Sequence, residues 1–280
     1  VNGVLKFSNL NRVIFADTEA TVSIAVNSAL PANAVGGSGT SGEIVNLTLD
    51  ASSLDAFEAF GQISGQALTE ADLGFSSDST TELTYRYTRP TVTLSALSPS
   101  GPGVPGLGEV FRFNVAADAM GDVEIDSIAF AVNTTDAAAT GWNDCTSGAP
   151  NAFTAADFTI YNLTTSGLAV PLDTSDANWT LFTPTSGVCS ATPSELGFAQ
   201  ISFPVPEVIP ASGTYTYAVY VDTTGASTAS DDIFKLSIPE SIESALSKTI
   251  NGLVWDDGSG QAINGYLVDN LTLSGGTLVY

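Results

Sequence analysis

Polar and apolar residues alternate along most of this 280-residue chain. Thr21-Val-Ser-Ile-Ala-Val26, Ile44-Val-Asn-Leu-Thr-Leu49 and Thr91-Val-Thr-Leu94 change character at each step. A period of two places successive side chains on opposite faces of an extended backbone, so these segments predict half-buried strands. Glu109–Val115 repeats the pattern, with Val110 off the alternating face. Asp122–Val132, Phe158–Tyr161, Ala199–Phe203, Thr214–Val221 and Ile233–Ile238 follow. Clusters of Gly, Pro, Asn and Asp separate these runs, as expected of an antiparallel sandwich. The fold class expected is all-β: two Ig-like antiparallel β-sandwich domains with very little helix.

Helical spacing is rare. Ser52–Phe60 has a Ser cap and apolar residues at Leu54, Phe57 and Phe60, which predicts one short helix. Thr69–Leu73 and Thr154–Phe158 read as single turns, and Ser241–Leu246 as a weaker helix. The run Ser98-Pro-Ser-Gly-Pro-Gly-Val-Pro-Gly-Leu-Gly108 is too rich in Pro and Gly for a sheet interior, and reads as a linker or a long loop. Because Arg89-Pro90 would interrupt pairing, a first β domain is placed at residues 1–90 and a larger one at 91–280. Gly36–Gly42 reads as a flexible loop tip.

Composition narrows the chemistry. The chain has 44% hydrophobic residues, enough to fill a core, and a formal charge of -23 although only 13% of its residues are charged. It has no histidine. That excludes Ser-His-Asp triads and most zinc sites, since histidine is the usual base and ligand in both. The negative charge makes nucleic acid and anionic lipid poor partners. No segment approaches the roughly 20 apolar residues of a membrane span. The chain starts at Val1 without methionine or a signal-like stretch, which fits a removed leader and a fragment of a longer chain equally. Two cysteines, Cys145 and Cys189, lie in polar, loop-like stretches. Their even number and the exported-looking composition favour a disulfide, whose loop of about 45 residues would stabilise the fold by about 4 kcal/mol in the chain-entropy model.

Several residues are candidates for a site, each with a plainer alternative. Asp173, Asp176, Asp222, Asp231, Asp232, Asp256 and Asp257 stand in acidic turns that could supply oxygen ligands to calcium, although Asp is also a common turn residue. No EF-hand loop is present. Asn46, Asn133, Asn162, Asn178 and Asn270 form Asn-x-Ser/Thr sequons, potential glycan sites that a chain rich in Ser and Thr also produces by chance. Trp142, Trp179 and Trp255, with Tyr215, Tyr217 and Tyr220, suggest a sugar-stacking platform. Aromatics on alternating strands are more often core. Tyr215 and Tyr217 share one face while Tyr220 points to the other. A pair of carboxylates suffices for a glycoside hydrolase, but nothing in the sequence brings two together.

Phe111–Phe130 and the closing stretch Trp255-Asp-Asp to Asn264-Gly-Tyr-Leu-Val268 and Leu271–Leu278 resemble a module of predicted exported surface proteins of Patescibacteria, the candidate phyla radiation. The likeness covers about residues 91–280 and rests on strand patterning. It implies an Ig-like surface protein and transfers no catalytic residue.

Apolar β-formers also stand near both ends: Val4, Leu5 and Phe7 with Val13, Ile14 and Phe15, then Leu278, Val279 and Tyr280. Unpaired apolar strands are aggregation hazards. Each end therefore pairs within its own domain or completes the sheet of a neighbouring subunit, a contact that makes an open filament when repeated head to tail. The function expected is a non-enzymatic, secreted structural subunit of an extracellular filament or cell-surface layer, a homo-oligomer without cofactor, possible calcium apart. The rival is a monomeric adhesin or carbohydrate-binding module, and the third reading is a carboxylate-only hydrolase.

Overall fold

In a computed structural model the chain divides into two compact units, Val1–Arg86 and Tyr87–Tyr280. The structure describes residues 13–15, 17–19, 21, 23–24, 41–42, 44–49, 59–68, 78–79, 83–84, 86–137, 141–145, 152–172, 175, 178–184, 187–189, 194–229, 231–243, 249–260, 263–264 and 268–280. The helix expected at Ser52–Phe60 and the turn at Thr69–Leu73 fall almost wholly outside them, as does the Gly36–Gly42 loop tip.

In the first unit, β1 (Ile44–Val45) pairs antiparallel with β4 (Leu83–Thr84), and β2 (Thr48–Leu49) with β3 (Asp78–Ser79). Two short pairs thus stand where the alternating run Ile44–Leu49 predicts one strand. No hydrophobic side chain is buried among the described residues of this unit.

The second unit is a β-sandwich of antiparallel sheets packed together. Its strands begin with β5 (Thr91–Leu94), β6 (Gly101–Pro102), β7 (Leu107–Ala116), β8 (Val123–Thr135) and β9 (Asp144–Cys145). Next come β10 (Phe158–Asn162), β11 (Trp179–Thr183), β12 (Gly187–Val188), β13 (Ser194–Glu195), β14 (Phe198–Ile209) and β15 (Thr214–Asp222). The last are β16 (Ile233–Ile238), β17 (Ser241–Glu243), β18 (Thr249–Asn251), β19 (Leu253–Asp256), β20 (Ile263–Asn264), β21 (Leu273–Ser274) and β22 (Leu278–Val279). One sheet has the order β10-β15-β7-β5, and the larger runs β12-β11-β14-β8-β16-β22-β6 with β19, β20 and β21 off that path.

The alternation read from the sequence is the packing. Phe111, Phe113 and Val115 of β7 and Tyr217, Val219 and Val221 of β15 are buried from one sheet. Ile128 and Phe130 of β8, Ile201 of β14 and Phe234, Leu236 and Ile238 of β16 meet them from the other. Phe111 and Phe113 each set an edge or tilted face against Phe130 at 6.1 Å, the geometry ring quadrupoles prefer. All three tryptophans are buried here, Trp142 touching Phe153, Phe234 and Tyr280.

Two β-bulges explain breaks in the alternation. The register of β15 on β7 jumps from Val219↔Phe111 to Tyr220↔Glu109, which skips Val110, the residue already off-pattern in sequence. On β8 the register jumps across Asp126 against both β14 and β19. The extra residue changes the parity of the strand, so Val123 and Ile125 face inward before the bulge and Ile128 and Phe130 after it. On β14 the same irregularity throws out residues 203–206, leaving Val205 exposed.

Little helix is present. Thr154–Phe158 contains one 3-10 turn, Ala155–Asp157, whose Asp157 carboxylate accepts from Thr154 N (2.7 Å) and Oγ1 (2.9 Å). The helix expected at Ser241–Leu246 is corrected: Ser241–Glu243 is strand β17, with Ile242 opposite Ile250 of β18. Cross-strand pairing with residues six to ten positions away overrides a helical spacing visible only locally. The Ser98–Gly108 run is a loop inside the second unit, not a linker between units.

Cys145 and Cys189 form a disulfide with Cα atoms 5.8 Å apart. It joins β9 to the residue after β12, and Cys145 is itself fully buried in the core. Replacing both cysteines with alanine is expected to lower unfolding free energy by about 4 kcal/mol, because 44 residues separate the linked positions. Denaturant unfolding of the oxidised and double-variant chains measures this; a difference below 1 kcal/mol would show that the bond only decorates the loops.

Candidate functional site: the strap groove and the sheet edges

Backbone groups at a sheet edge must pair, be covered or meet water. On β10 the exposed side is occupied: Phe158 N donates to Ala155 O, Leu172 N to Ile160 O (2.8 Å) and Ser166 N to Asn162 O (3.1 Å). On β5, Val92 N donates to Asp269 O and Asp269 N to Pro90 O, both at 3.1 Å, and Arg89 pairs with the Asp269 carboxylate. The Asp269 carboxylate is also the main reason the Arg89 guanidinium holds its proton more tightly than usual. At the far edge of the larger sheet, β12 is two residues long and runs directly into the disulfide.

Near the other end of the larger sheet, β22 pairs antiparallel with β16 on one side (Phe234↔Leu278, Ile233↔Val279) and parallel with β6 on the other. Gly101 N donates to Thr277 O (2.8 Å) and Gly103 N to Val279 O (2.7 Å). Residues 98–108 thus form a strap over β22. Glycine is required where it closes: a Cβ on Gly103 would lie 2.6 Å from the Tyr280 ring, and Gly106 has φ +124°. Thr223 fixes the far end, its N and Oγ1 both donating to Gly106 O (3.0 and 3.1 Å). Tyr280 is buried against Trp142, and burial raises its phenol pKa.

Beside the strap lies an open groove of about 340 Å³, lined by Pro102, Val104, Leu107, Glu109, Leu278 and Tyr280 among others. Val104 and Leu107 are 83% and 68% exposed. The apolar strap residues therefore face solvent rather than the core. The sequence gives no warning of this groove, because a Pro/Gly-rich run carries no periodicity and its partners Leu278 and Tyr280 lie some 170 positions away.

The expected assembly residues separate cleanly. Leu278, Val279 and Tyr280 are engaged within their own unit, as in the first of the two alternatives for the ends. Val13, Ile14 and Phe15 are 47%, 55% and 72% exposed and belong to no strand. Val4, Leu5 and Phe7 lie outside the described residues. A signal missed in sequence stands beside them: Val1–Ala16 hold Lys6 and Arg12 and no acidic residue, in a chain of net charge -23.

The acidic turns are occupied by their own backbone. Asp222 Oδ1 accepts from Thr224 N (3.0 Å), and the fully buried Asp232 accepts from Ala137 N (2.9 Å) and Ser227 N (2.7 Å). Asp256 accepts from Gly260 N and Asp257 from Tyr87 N, each at 3.1 Å. Asp231 is exposed at φ 55°. Asp173 and Asp176 lie outside the described residues. Among the described residues no three carboxylates or cysteines gather to hold a metal ion.

Of the sequons, Asn46, Asn133 and Asn270 are exposed, while the Asn178 amide nitrogen is buried. Asn162 is corrected outright as a glycan acceptor. It is fully buried, its Nδ2 donates to Glu207 Oε1, and its Oδ1 accepts from Thr164 N and Thr165 N. The tryptophans offer no platform, being core. Tyr217 is buried, and Tyr220 meets Tyr161 edge-on across the outer face of the smaller sheet. Arg112 on that face binds Glu109 through Nε (2.7 Å) and a terminal nitrogen (2.5 Å).

No protein-family model matches the chain, and no curated protein matches it. Among the described residues no helix is long and apolar enough to cross a membrane.

Two carboxyls are held above the ordinary carboxylate range. Burial does this to Glu207, partly offset by the Asn162 hydrogen bond, and burial followed by the nearby Asp256 does it to Asp126. The nearby Glu207 charge also helps keep the buried Tyr217 phenol protonated, after burial itself. A raised folded-state pKa means the folded state binds the proton more tightly than the unfolded state. The contribution is fully present below the ordinary carboxylate pKa and is lost as pH rises through the raised one. Glu207→Gln keeps an acceptor for Asn162 without the charge. It is expected to stabilise the chain at neutral pH and to flatten the fall in melting temperature on going from mildly acidic to neutral pH. An unchanged pH profile would show that Glu207 carries no such penalty.

Proposed function

We propose that this protein is a non-enzymatic structural subunit that assembles head to tail by β-strand addition into an extracellular filament or surface layer, with the apolar segment at residues 4–15 as the donated strand. The observation carrying this reading is the contrast between the two units. The second buries a continuous aromatic core, whereas the described residues of the first bury no hydrophobic side chain and expose Val13, Ile14, Phe15, Ile24, Ile44, Phe60 and Ile63. So many exposed large apolar residues are what an interaction surface requires. An extended apolar segment is what strand addition requires. The last strand is not the donor in this reading, because both its edges are taken.

The disulfide supports an oxidising, extracellular setting. The Patescibacteria-like patterning of residues 91–280 points the same way. The adhesin reading loses its aromatic support with the burial of Trp142, Trp179 and Trp255.

Deleting residues 1–15 is expected to convert a polymer, seen by size-exclusion chromatography and negative-stain microscopy, into monomer with an unchanged melting temperature of the main transition. Assembly that persists in the deleted chain, or a full-length chain that is monomeric at every concentration, would defeat the proposal.

A further inference from the structure

We propose that Glu207 and Asn162 form a proton-controlled latch between the two sheets of the second unit. A neutral Glu207 holds the latch closed, and its ionisation releases residues 203–207 of β14 locally while the rest of the sandwich stays folded.

The latch spans the core. Asn162 ends β10 in the smaller sheet, stands opposite Tyr217 and is fully buried. Glu207 belongs to β14 in the larger sheet and shares a face with Ile209, which is also fully buried. Its carboxylate therefore points between the sheets, where Oε1 accepts from Asn162 Nδ2. The amide is fixed from its other end, since Oδ1 accepts from Thr164 N (2.9 Å) and Thr165 N (3.1 Å). When the bond breaks, it is β14 that moves.

β14 yields most easily at this point. Its register on β8 steps from Ser202↔Ser127 to Glu207↔Ile125, so residues 203–206 have no partner in that ladder. Pro204 and Pro206 have no N–H to offer, and Val205 is exposed. A segment with so few ladder bonds opens at lower cost than the domain unfolds.

The charge supplies the force. Glu207 makes no ion pair among the described residues. It faces the Asn162 amide from β10 and the phenol of Tyr217 from β15, with Tyr215 on the same face. On β8 it stands opposite Ile125, between Glu124 and Asp126, and its own neighbours Pro206 and Val208 carry no charge. None of these groups is a cation. The Tyr217 hydroxyl is buried without a hydrogen-bond partner, so the Asn162 amide alone solvates the ionised carboxylate from within the core. Burial accordingly raises the Glu207 pKa, with the amide opposing it in part. The closed form binds the proton more tightly than the open form. Opening is therefore favoured as pH rises through the raised pKa, and the latch is fully closed below the ordinary carboxylate value.

Hydrogen exchange of the full-length chain, corrected for the intrinsic pH dependence of exchange, tests the latch. From mildly acidic to neutral pH, protection of the Glu207, Val208 and Ile209 amides is expected to fall. The fall is about tenfold for each unit by which the folded-state pKa is raised. Peptides from β7 and β15 are expected to keep their protection. Glu207→Gln, which retains an acceptor for Asn162, is expected to keep the acid-level protection at neutral pH. Asn162→Asp sets a second carboxylate against Glu207 and keeps the acceptor for Thr164 and Thr165. It is expected to leave these amides less protected at neutral pH than in the parent chain. Protection that is constant with pH in the parent chain, or that falls equally in β7 and β15, overturns the inference. So does a Glu207→Gln chain that follows the parent's pH dependence, or an Asn162→Asp chain as well protected as the parent.

Discussion

A strand at the rim of a sheet carries a row of N–H and C=O groups with no neighbour, and the second unit is shaped by how those groups are occupied. β10 is closed by the 3-10 turn and the loop that follows it, β5 by Asp269, and β22 by the two-residue strand of the strap. Each cover is short, and each is drawn from a loop rather than from a regular strand. The strap is the most dependent on composition, since it needs glycine both against the Tyr280 ring and at the positive φ of Gly106. Tyr280 in turn rests on Trp142, and Trp142 on Phe153 and Phe234, so the cover of the edge is anchored in the aromatic core.

The charge takes a different form from the one composition suggests. A value of -23 invites a search for cation sites. The buried carboxylates are instead acceptors for backbone N–H groups at turns: Asp232 for Ala137 and Ser227, Asp256 for Gly260, Asp257 for Tyr87. A carboxylate so placed satisfies a donor that a loop would otherwise leave unpaired, and charge-assisted hydrogen bonds are the stronger kind. Without histidine the chain also lacks the group whose unperturbed pKa lies near neutrality. The carboxyls with raised pKa values, Glu207 and Asp126, lie at the two sides of the β8–β14 irregularity, where burial is the first cause of both shifts.

How much of this was legible in the sequence depended on distance along the chain. Strand alternation is local, so β7, β8, β15 and β16 were readable, and Val110 marked its bulge before any partner strand was known. The bulge at Asp126 was not readable: Asp122–Val132 reads as one alternating run, and the change of parity between Ile125 and Ile128 shows only against β14 and β19. Non-local pairings were not readable. Ser241–Glu243 has a helix-like pattern until Thr249–Asn251 supplies a partner, and the Ser98–Gly108 run looks like a linker until Thr277–Tyr280 comes to lie beneath it. Asn162 satisfies a glycan sequon, yet its amide is committed to a glutamate 45 positions away. The cysteine pair was readable because only one pairing is possible with two cysteines.

The covered edges meet a general requirement of the proposed mode of assembly. A protein that polymerises by adding strands must keep its other edges from adding strands indiscriminately, since main-chain pairing is blind to sequence. Short covers and prolines achieve that on the second unit, at Pro90 beside β5 and at Pro102 and Pro105 on the strap. Main-chain pairing is thereby removed as a source of adhesion at those edges.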